Sequence, residues 1–143
     1  MRSISINGNW RLKASPLSLK NVEGLRRLSR SEGRWIDAAV PGEVHLDLMK
    51  AGLMDEPLFS LNSFKSRWPE KKAWWYRRWI NVPAGFLAGE CQEMIFEGLD
   101  YYAQVFVNGA LAGESRDSYV PAAFNVKGLL KKGRNEIAVR ITA

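Results

Sequence analysis

Carboxylate side chains that lie close together in the sequence are the first candidates for chemistry in this chain. They are Asp55 with Glu56, Glu97 with Asp100, and Glu136, which follows an asparagine. Two carboxyl groups act as general acid and base only if both reach one substrate. Adjacent side chains such as Asp55 and Glu56 point apart, an aspartate in a turn such as Asp100 usually caps its own backbone, and Glu136 is predicted to face solvent. We therefore predict no catalytic residue in this chain.

The histidine and cysteine content argues against a metal centre or a thiol nucleophile. His45 is the only histidine, and it lies in a predicted short helix, where a packed or capping role is favoured over a functional one. Cys91 is the only cysteine and is predicted to be a free, buried thiol. One histidine without a cysteine pair does not form the usual ligand patterns for a metal ion. The sequence predicts neither a metal site nor a cofactor.

The elements that would position a site are mostly short strands. Residues 94–109 predict two strands followed by a hairpin turn at Asn108-Gly109, because Asn-Gly accepts the positive φ angles of a two-residue loop. Further strands are predicted over residues 3–12, 35–40, 73–82, 110–114 and 135–142. Short strands separated by Gly, Pro and Asn, without a βαβ rhythm, favour an all-β sandwich of about seven or eight strands.

Two other segments lack strand character. Residues 43–51 predict one short helix that ends at a glycine, with Leu48 and Met49 facing inward. Residues 15–34 contain a proline, two glycines and many charges, and their only helical face is a weak one at Leu25 and Leu28. We expect this second segment to be an irregular excursion over the surface.

The strand over residues 73–82 is the most aromatic part of the chain. Alternation places Trp75 and Trp79 on one face and Trp74 on the other. A strand with rings on both faces is expected to be covered on both. These three tryptophans are therefore predicted to be core or domain-interface residues.

The charge of the chain is positive but not concentrated. Twenty-one Lys and Arg against fifteen Asp and Glu give a formal charge of +6, and the excess is scattered, as on a solvated face or a face covered by another domain. The stretch from Lys65 to Arg78 interleaves basic and aromatic residues like a single-strand nucleic-acid platform, but we predict no nucleic-acid partner. No run reaches the roughly 20 apolar residues of a membrane span. The N-terminus has no apolar signal region, which together with the single cysteine favours a cytoplasmic location.

Several short motifs follow one another along nearly the whole chain. They are Val40-Pro41-Gly42, Val44-His45-Leu46-Asp47-Leu48, Ala51-Gly52-Leu53, Asp55 to Phe59, Asn62 with Trp68, Trp74 to Arg78, Phe96 to Asp100, and Val107-Asn108-Gly109. This series resembles the N-terminal domain of glycoside hydrolase family 2. The combination of its first two motifs, Val40 to Leu48, with the later Asn62 and the pair Arg67-Trp68 is more similar to the β-mannosidases than to the β-galactosidases or β-glucuronidases. The resemblance implies a jelly-roll β-sandwich of the galactose-binding-like type, which is the fold class that the strand pattern predicts.

The resemblance also implies what the chain belongs to and what it does. Residues 1–143 would be one N-terminal domain of a longer retaining β-mannosidase, whose immunoglobulin-like and TIM-barrel domains, with the catalytic glutamates, lie outside this chain. The domain would buttress the barrel and rim its sugar pocket, so that its partners are the parent's barrel and a terminal β-mannoside. Alone it would be inactive, and we expect it to self-associate through exposed apolar surface, including an unpaired strand edge near Ile141. The alternative is an autonomous carbohydrate-binding module.

Asn62 and Trp68 are the candidate substrate-rim residues. Aromatic rings stack on the apolar faces of pyranoses while amides hydrogen-bond the hydroxyls, and the match to the family's Asn-x5-Trp loop implies a place near the mouth of the barrel. The alternatives are that Trp68 is a core plug and Asn62 a loop cap. The segments 116–119 and 124–127 depart from the family's sequence. The resemblance therefore still implies the fold there, but it does not carry over a sugar contact on that loop.

Overall fold

Antiparallel strands form most of the computed structural model, which describes residues 2–30, 34–53, 68–117 and 119–143. In these ranges the chain forms eight strands, namely β1 (Gly8–Ser15), β2 (Ile36–Val40), β3 (Ala73–Val82), β4 (Glu93–Phe96), β5 (Tyr102–Val107), β6 (Ala110–Ser115), β7 (Ala122–Asn125) and β8 (Gly133–Thr142). Two α-helices, α1 (Asn21–Arg30) and α2 (Val44–Lys50), and two 3-10 turns, Trp68–Lys71 and Ala84–Ala88, complete the described elements. Neither helix is long and apolar enough to span a membrane.

The strands form two sheets that share one core. Six strands pair in the order β2-β1-β3-β8-β5-β6, and β4 pairs with β7. Inward side chains of the large sheet, such as Leu12, Tyr76 and Val105, join Met94 and Phe124 of the small sheet in one buried cluster. This arrangement confirms the predicted all-β sandwich.

The aromatic strand β3 follows its predicted alternation. Trp74 lies in the core between the sheets and Trp75 in a second cluster on the opposite face. Trp79 is 45% exposed, with the Arg134 guanidinium 4.2 Å from its ring centroid. Trp79 is therefore not a core residue of this domain.

The segment 15–34 was expected to be irregular, and that prediction is wrong over α1. Leu25 and Leu28 are buried against Trp75 and Phe106, whose rings stack with centroids 5.8 Å apart on the outer face of the large sheet. Two leucines are therefore enough to hold α1 in a helical conformation, because the sheet supplies the apolar surface against which they pack.

A reciprocal amide pair fixes the start of α1. The Asn21 amide N–H donates to Gln104 Oε1 at 3.2 Å, and Gln104 Nε2 donates to Asn21 Oδ1 at 2.8 Å. Gln104 is 1% exposed, so this polar side chain is buried with its hydrogen bonds satisfied. The pair joins the first residue of the helix to the centre of β5.

The two turns that carry glycine form as predicted. Asn108 and Gly109 have φ angles of 50° and 81°, as the hairpin between β5 and β6 requires. Helix α2 lies within the predicted range 43–51, buries Leu48, and is followed by Gly52 at φ 74°.

Two strand predictions need correction. β1 starts at Gly8 rather than at residue 3 and continues to Ser15, where it still pairs with β3. Ile141, expected near an unpaired edge, lies in the middle of the large sheet, because β8 pairs with β3 at Trp74 and with β5 at Ala103.

Candidate functional site

A groove of about 920 Å³ on this domain could receive a partner or ligand. It lies between the N-terminal segment, the start of α2, the residues before β3 and the connection from β4 to β5. Buried aromatic residues of the core, Trp10, Trp74 and Tyr76, contribute to its lining, together with Leu99. The apolar core of the sandwich is thus accessible from this side.

Four carboxylates give the groove its charge. They come from separate elements and are all exposed: Glu43, Glu70, Glu97 and Asp100. The described lining residues include no lysine, arginine or histidine, and none of the four forms an ion pair with another described residue. We call this concavity the acidic groove, and its sign is opposite to the formal charge of +6 on the chain.

Trp68 lies beside the acidic groove. It begins a 3-10 turn, and its ring centroid is 5.8 Å from that of Trp74, at an interplanar angle of 51°. The turn is held in place because Trp74 Nε1 donates to the Pro69 carbonyl at 2.7 Å. Trp68 is 38% exposed, so one part of the ring packs on the domain and another part can meet a partner.

The other candidate rim residue, Asn62, lies outside the described residues. The structure therefore does not show whether Asn62 and Trp68 come together, and their role at a sugar pocket stays a prediction. The side chain of His45 and the pair Asp55-Glu56 also fall outside the described part of the chain.

Asp47 is a buried carboxylate that sequence reasoning missed. Asp47 is 3% exposed. Its Oδ1 accepts a hydrogen bond of 3.1 Å from the backbone amide of Ala39, which lies on the edge strand β2. Oδ2 is buried and has no hydrogen-bond partner among the residues that the structure describes. The available signal was an aspartate inside the apolar run from Val44 to Met49.

Burial determines the electrostatics around Asp47. Desolvation raises the pKa of this carboxyl, opposed by the Ala39 hydrogen bond and by the Lys50 charge. Burial also raises the pKa of the Tyr76 hydroxyl, to which the negative charges of Asp47 and Glu43 add. Negative charge therefore extends from the rim of the acidic groove into the adjacent protein.

The described carboxylates do not form an acid–base pair. Glu97 and Asp100 are exposed, and Glu136 lies 4.0 Å from Arg77 Nη1 in an ion pair. Within the described ranges no group of three His, Cys, Asp or Glu residues could hold a metal ion. Asn135, before Glu136, is fully buried, and its Nδ2 donates to the carbonyls of Lys131 at 2.7 Å and Gly133 at 2.9 Å.

The prediction that Cys91 is buried is wrong. Its thiol is exposed in the connection before β4, with Sγ 3.6 Å from Glu93 Oε1. The neighbouring glycine and glutamate, Gly89 and Glu90, are also exposed, so this connection offers no apolar surroundings in which a thiol could be buried.

Comparison with known proteins identifies the family. The family model described as the glycosyl hydrolase 2 galactose-binding domain-like domain matches residues 10–143. The chain belongs to this family. The family assignment confirms the resemblance seen in the motifs and places the chain among the galactose-binding-like N-terminal domains of β-mannosidase-like proteins.

The individual relatives agree with this assignment. A probable β-mannosidase of Caenorhabditis elegans is 28% identical over 138 residues, which cover 96% of this chain and 13% of the relative. β-Mannosidase B of Emericella nidulans is 30% identical over 112 residues, covering 77% of this chain and 13% of the relative. The β-D-mannosidase structure from Dictyoglomus thermophilum matches 99% of this chain and 16% of its own, with a TM-score of 0.85 and 34% identity.

The chain spans 13% of the length of these curated relatives, so it corresponds to one domain of a β-mannosidase-like protein. A β-glucuronidase of Bifidobacterium dentium, at 20% identity and a TM-score of 0.71, shares the fold.

Proposed function

We propose that this domain is the accessory N-terminal domain of a retaining β-mannosidase, where it buttresses the catalytic barrel and rims the sugar pocket with Trp68 and Asn62. The parent enzyme would hydrolyse terminal β-mannosides. A retaining mechanism uses two carboxyl groups about 5 to 5.5 Å apart, and in this proposal both belong to the barrel.

One observation carries the proposal most strongly. The β-D-mannosidase structure of D. thermophilum contains this fold over 99% of the chain, at 34% identity, as 16% of a longer polypeptide. The half-exposed ring of Trp68 adds local support, because an aromatic face beside a groove suits stacking on a sugar.

The direct experiment uses the parent enzyme, expressed from its complete reading frame. Hydrolysis of nitrophenyl β-mannoside is compared with hydrolysis of the β-galactoside and the β-glucuronide. We expect kcat/KM to be highest for the mannoside, with retention of configuration at the anomeric carbon. A parent that prefers another glycoside would refute the proposed substrate.

The alternative of an autonomous carbohydrate-binding module is not favoured. The matched relatives carry this domain as 13% of chains named β-mannosidase. Calorimetric titration of the domain with mannose and mannobiose separates the two roles. An accessory wall gives no heat of binding, whereas millimolar or tighter binding would support the module.

A further inference from the structure

We propose that the acidic groove is the docking surface for a neighbouring domain of the same polypeptide, whose surface inserts an apolar side chain flanked by lysine or arginine. This inference rests on the proposed function, because that function supplies the longer polypeptide. The inference specifies which face of this domain contacts its neighbour and which side chains the neighbour presents there.

Exposed apolar side chains line the acidic groove. Ile4, Ile95 and Tyr101 all line the acidic groove and are 36%, 58% and 48% exposed. Below them the groove reaches core residues such as Trp10 and Trp74, which are 2% and 6% exposed. A concave apolar surface that continues into the core and is rimmed by polar residues is typical of an interface with another protein surface.

The rim of the acidic groove is negatively charged. Four exposed carboxylates surround the groove, and the part of its lining that the structure describes has no basic residue, although the chain carries 21 Lys and Arg against 15 Asp and Glu. An interface partner of complementary charge therefore presents cations at this rim. A purely apolar segment would fill the groove but would leave the four carboxylates without opposite charges. The negative rim therefore favours an occupant that carries lysine or arginine.

The start of α2 forms one wall of the acidic groove. Glu43 is the N-cap residue of α2, and Asp47 follows within the first turn of the helix. Glu43 lines the groove, and Asp47 is buried behind it with one oxygen unpaired among the described residues. The negative charges of both residues act on the Tyr76 hydroxyl, and a cation docked at Glu43 would offset them.

The test uses the full-length parent enzyme with charge reversal on two walls of the groove, Glu43→Lys with Glu97→Lys. The matched control is Glu90→Lys with Glu93→Lys, which changes the net charge equally at exposed carboxylates that do not line the groove. A second pair tests the apolar contribution, with Ile95→Ser in the groove and Leu111→Ser, 40% exposed on β6, as its control.

Docking is read from calorimetric unfolding and from limited proteolysis at the junction after residue 143. In the wild type and both controls we expect this domain to unfold together with its neighbour. In both groove variants we expect a separate transition at lower temperature and cleavage about tenfold faster, corresponding to a tenfold weaker docking equilibrium. In the wild type, 1 M NaCl should also weaken docking, and this salt effect should be lost in the charge-reversed variant.

Groove variants that unfold and cleave like their controls would overturn the proposal. A change from dimer to monomer in sedimentation, with unchanged cleavage, would overturn it too and assign the groove to a second copy of the chain. Failure of the proposed function is recognised separately, because an enzyme that does not hydrolyse mannosides can still show coupled unfolding that the groove variants disrupt.

Discussion

Trp68 packs obliquely on Trp74, with ring centroids 5.8 Å apart, and Trp74 in turn lines the acidic groove. This contact joins the half-exposed candidate rim residue to the aromatic core of the sandwich. A ring supported in this way keeps its orientation without being buried, which suits a side chain that meets a substrate or a second domain.

Replacement of Trp68 by alanine in the parent enzyme should reduce catalysis more than stability. We expect kcat/KM for the β-mannoside to fall about tenfold, which corresponds to about 1.4 kcal/mol of lost transition-state stabilisation. The lost ring contact should destabilise the domain by only about 0.5–1.5 kcal/mol. The control is Trp79→Ala, another exposed tryptophan that does not line the groove. Equal kinetic losses in both variants would argue against a rim role.

The buried carboxyl of Asp47 should give the domain a specific pH dependence. Its pKa is raised in the folded state, so the folded state binds the proton more tightly than the unfolded state. Stability therefore falls as pH rises from the unfolded value, near 3.8, through the folded pKa. Asp47→Asn keeps an oxygen for the Ala39 amide and removes this dependence. Urea unfolding between pH 4 and 8 should show a variant at least as stable as the wild type at pH 7, with the difference shrinking toward pH 4.

The matched variant Asp47→Ala separates charge from hydrogen bonding. It loses the bond to Ala39 and leaves that amide without its described partner, which costs about 1–3 kcal/mol. If Asp47→Asn were as unstable as Asp47→Ala at neutral pH, the carboxylate would be making a favourable charged interaction that the described structure does not contain.

Gly24 in α1 should resist replacement even by the best helix former. Alanine normally stabilises a helix interior by about 1 kcal/mol relative to glycine. A Cβ at Gly24, however, would lie 2.6 Å from the carbonyl carbon of Leu19, a backbone atom. We expect Gly24→Ala to destabilise the domain by about 1–3 kcal/mol in urea unfolding. Ser29→Ala in the same helix, expected within about 0.5 kcal/mol of the wild type, is the control.

Asn135, which precedes Glu136, should matter for the stability of the domain. Its side chain is fully buried and also accepts hydrogen bonds at Oδ1, from the Lys131 amide at 2.9 Å and from Asn108 Nδ2 at 2.8 Å. Asn135→Ala removes these bonds and should cost about 2–4 kcal/mol, at about 1 kcal/mol per hydrogen bond. Asn125→Ala, at the exposed end of β7, loses one hydrogen bond, from the Lys127 amide, and should cost no more than about 1 kcal/mol. A neutral Asn135→Ala in thermal unfolding would contradict this network.

The sequence predicts some of these features and conceals others for physical reasons. Strand β3 is readable because it carries aromatic rings on both faces, and both faces are covered, by the core at Trp74 and by α1 at Trp75. Helix α1 is not readable, because Gly24 and many charges weaken its pattern and the stabilising surface belongs to distant strands. Its anchor, the pair of Asn21 and Gln104, joins residues 83 positions apart.

The candidate site was predictable only in part. Trp68 could be found by its aromatic character and its motif. The acidic groove could not, because its carboxylates come from elements spread from Glu43 to Asp100 and share a rim only after folding. Asp47 was visible as a charge in an apolar run, but its burial depends on the packing of α2 against β2.

The central claim is that this domain shapes a pocket while the bond-breaking groups belong to another domain. It is tested most directly by measuring hydrolysis of nitrophenyl β-mannoside by purified residues 1–143 and by the complete parent enzyme at equal molar concentration. We predict turnover by the parent and none above the uncatalysed rate by the domain. Turnover by the domain that copurifies with it through successive columns would contradict the claim.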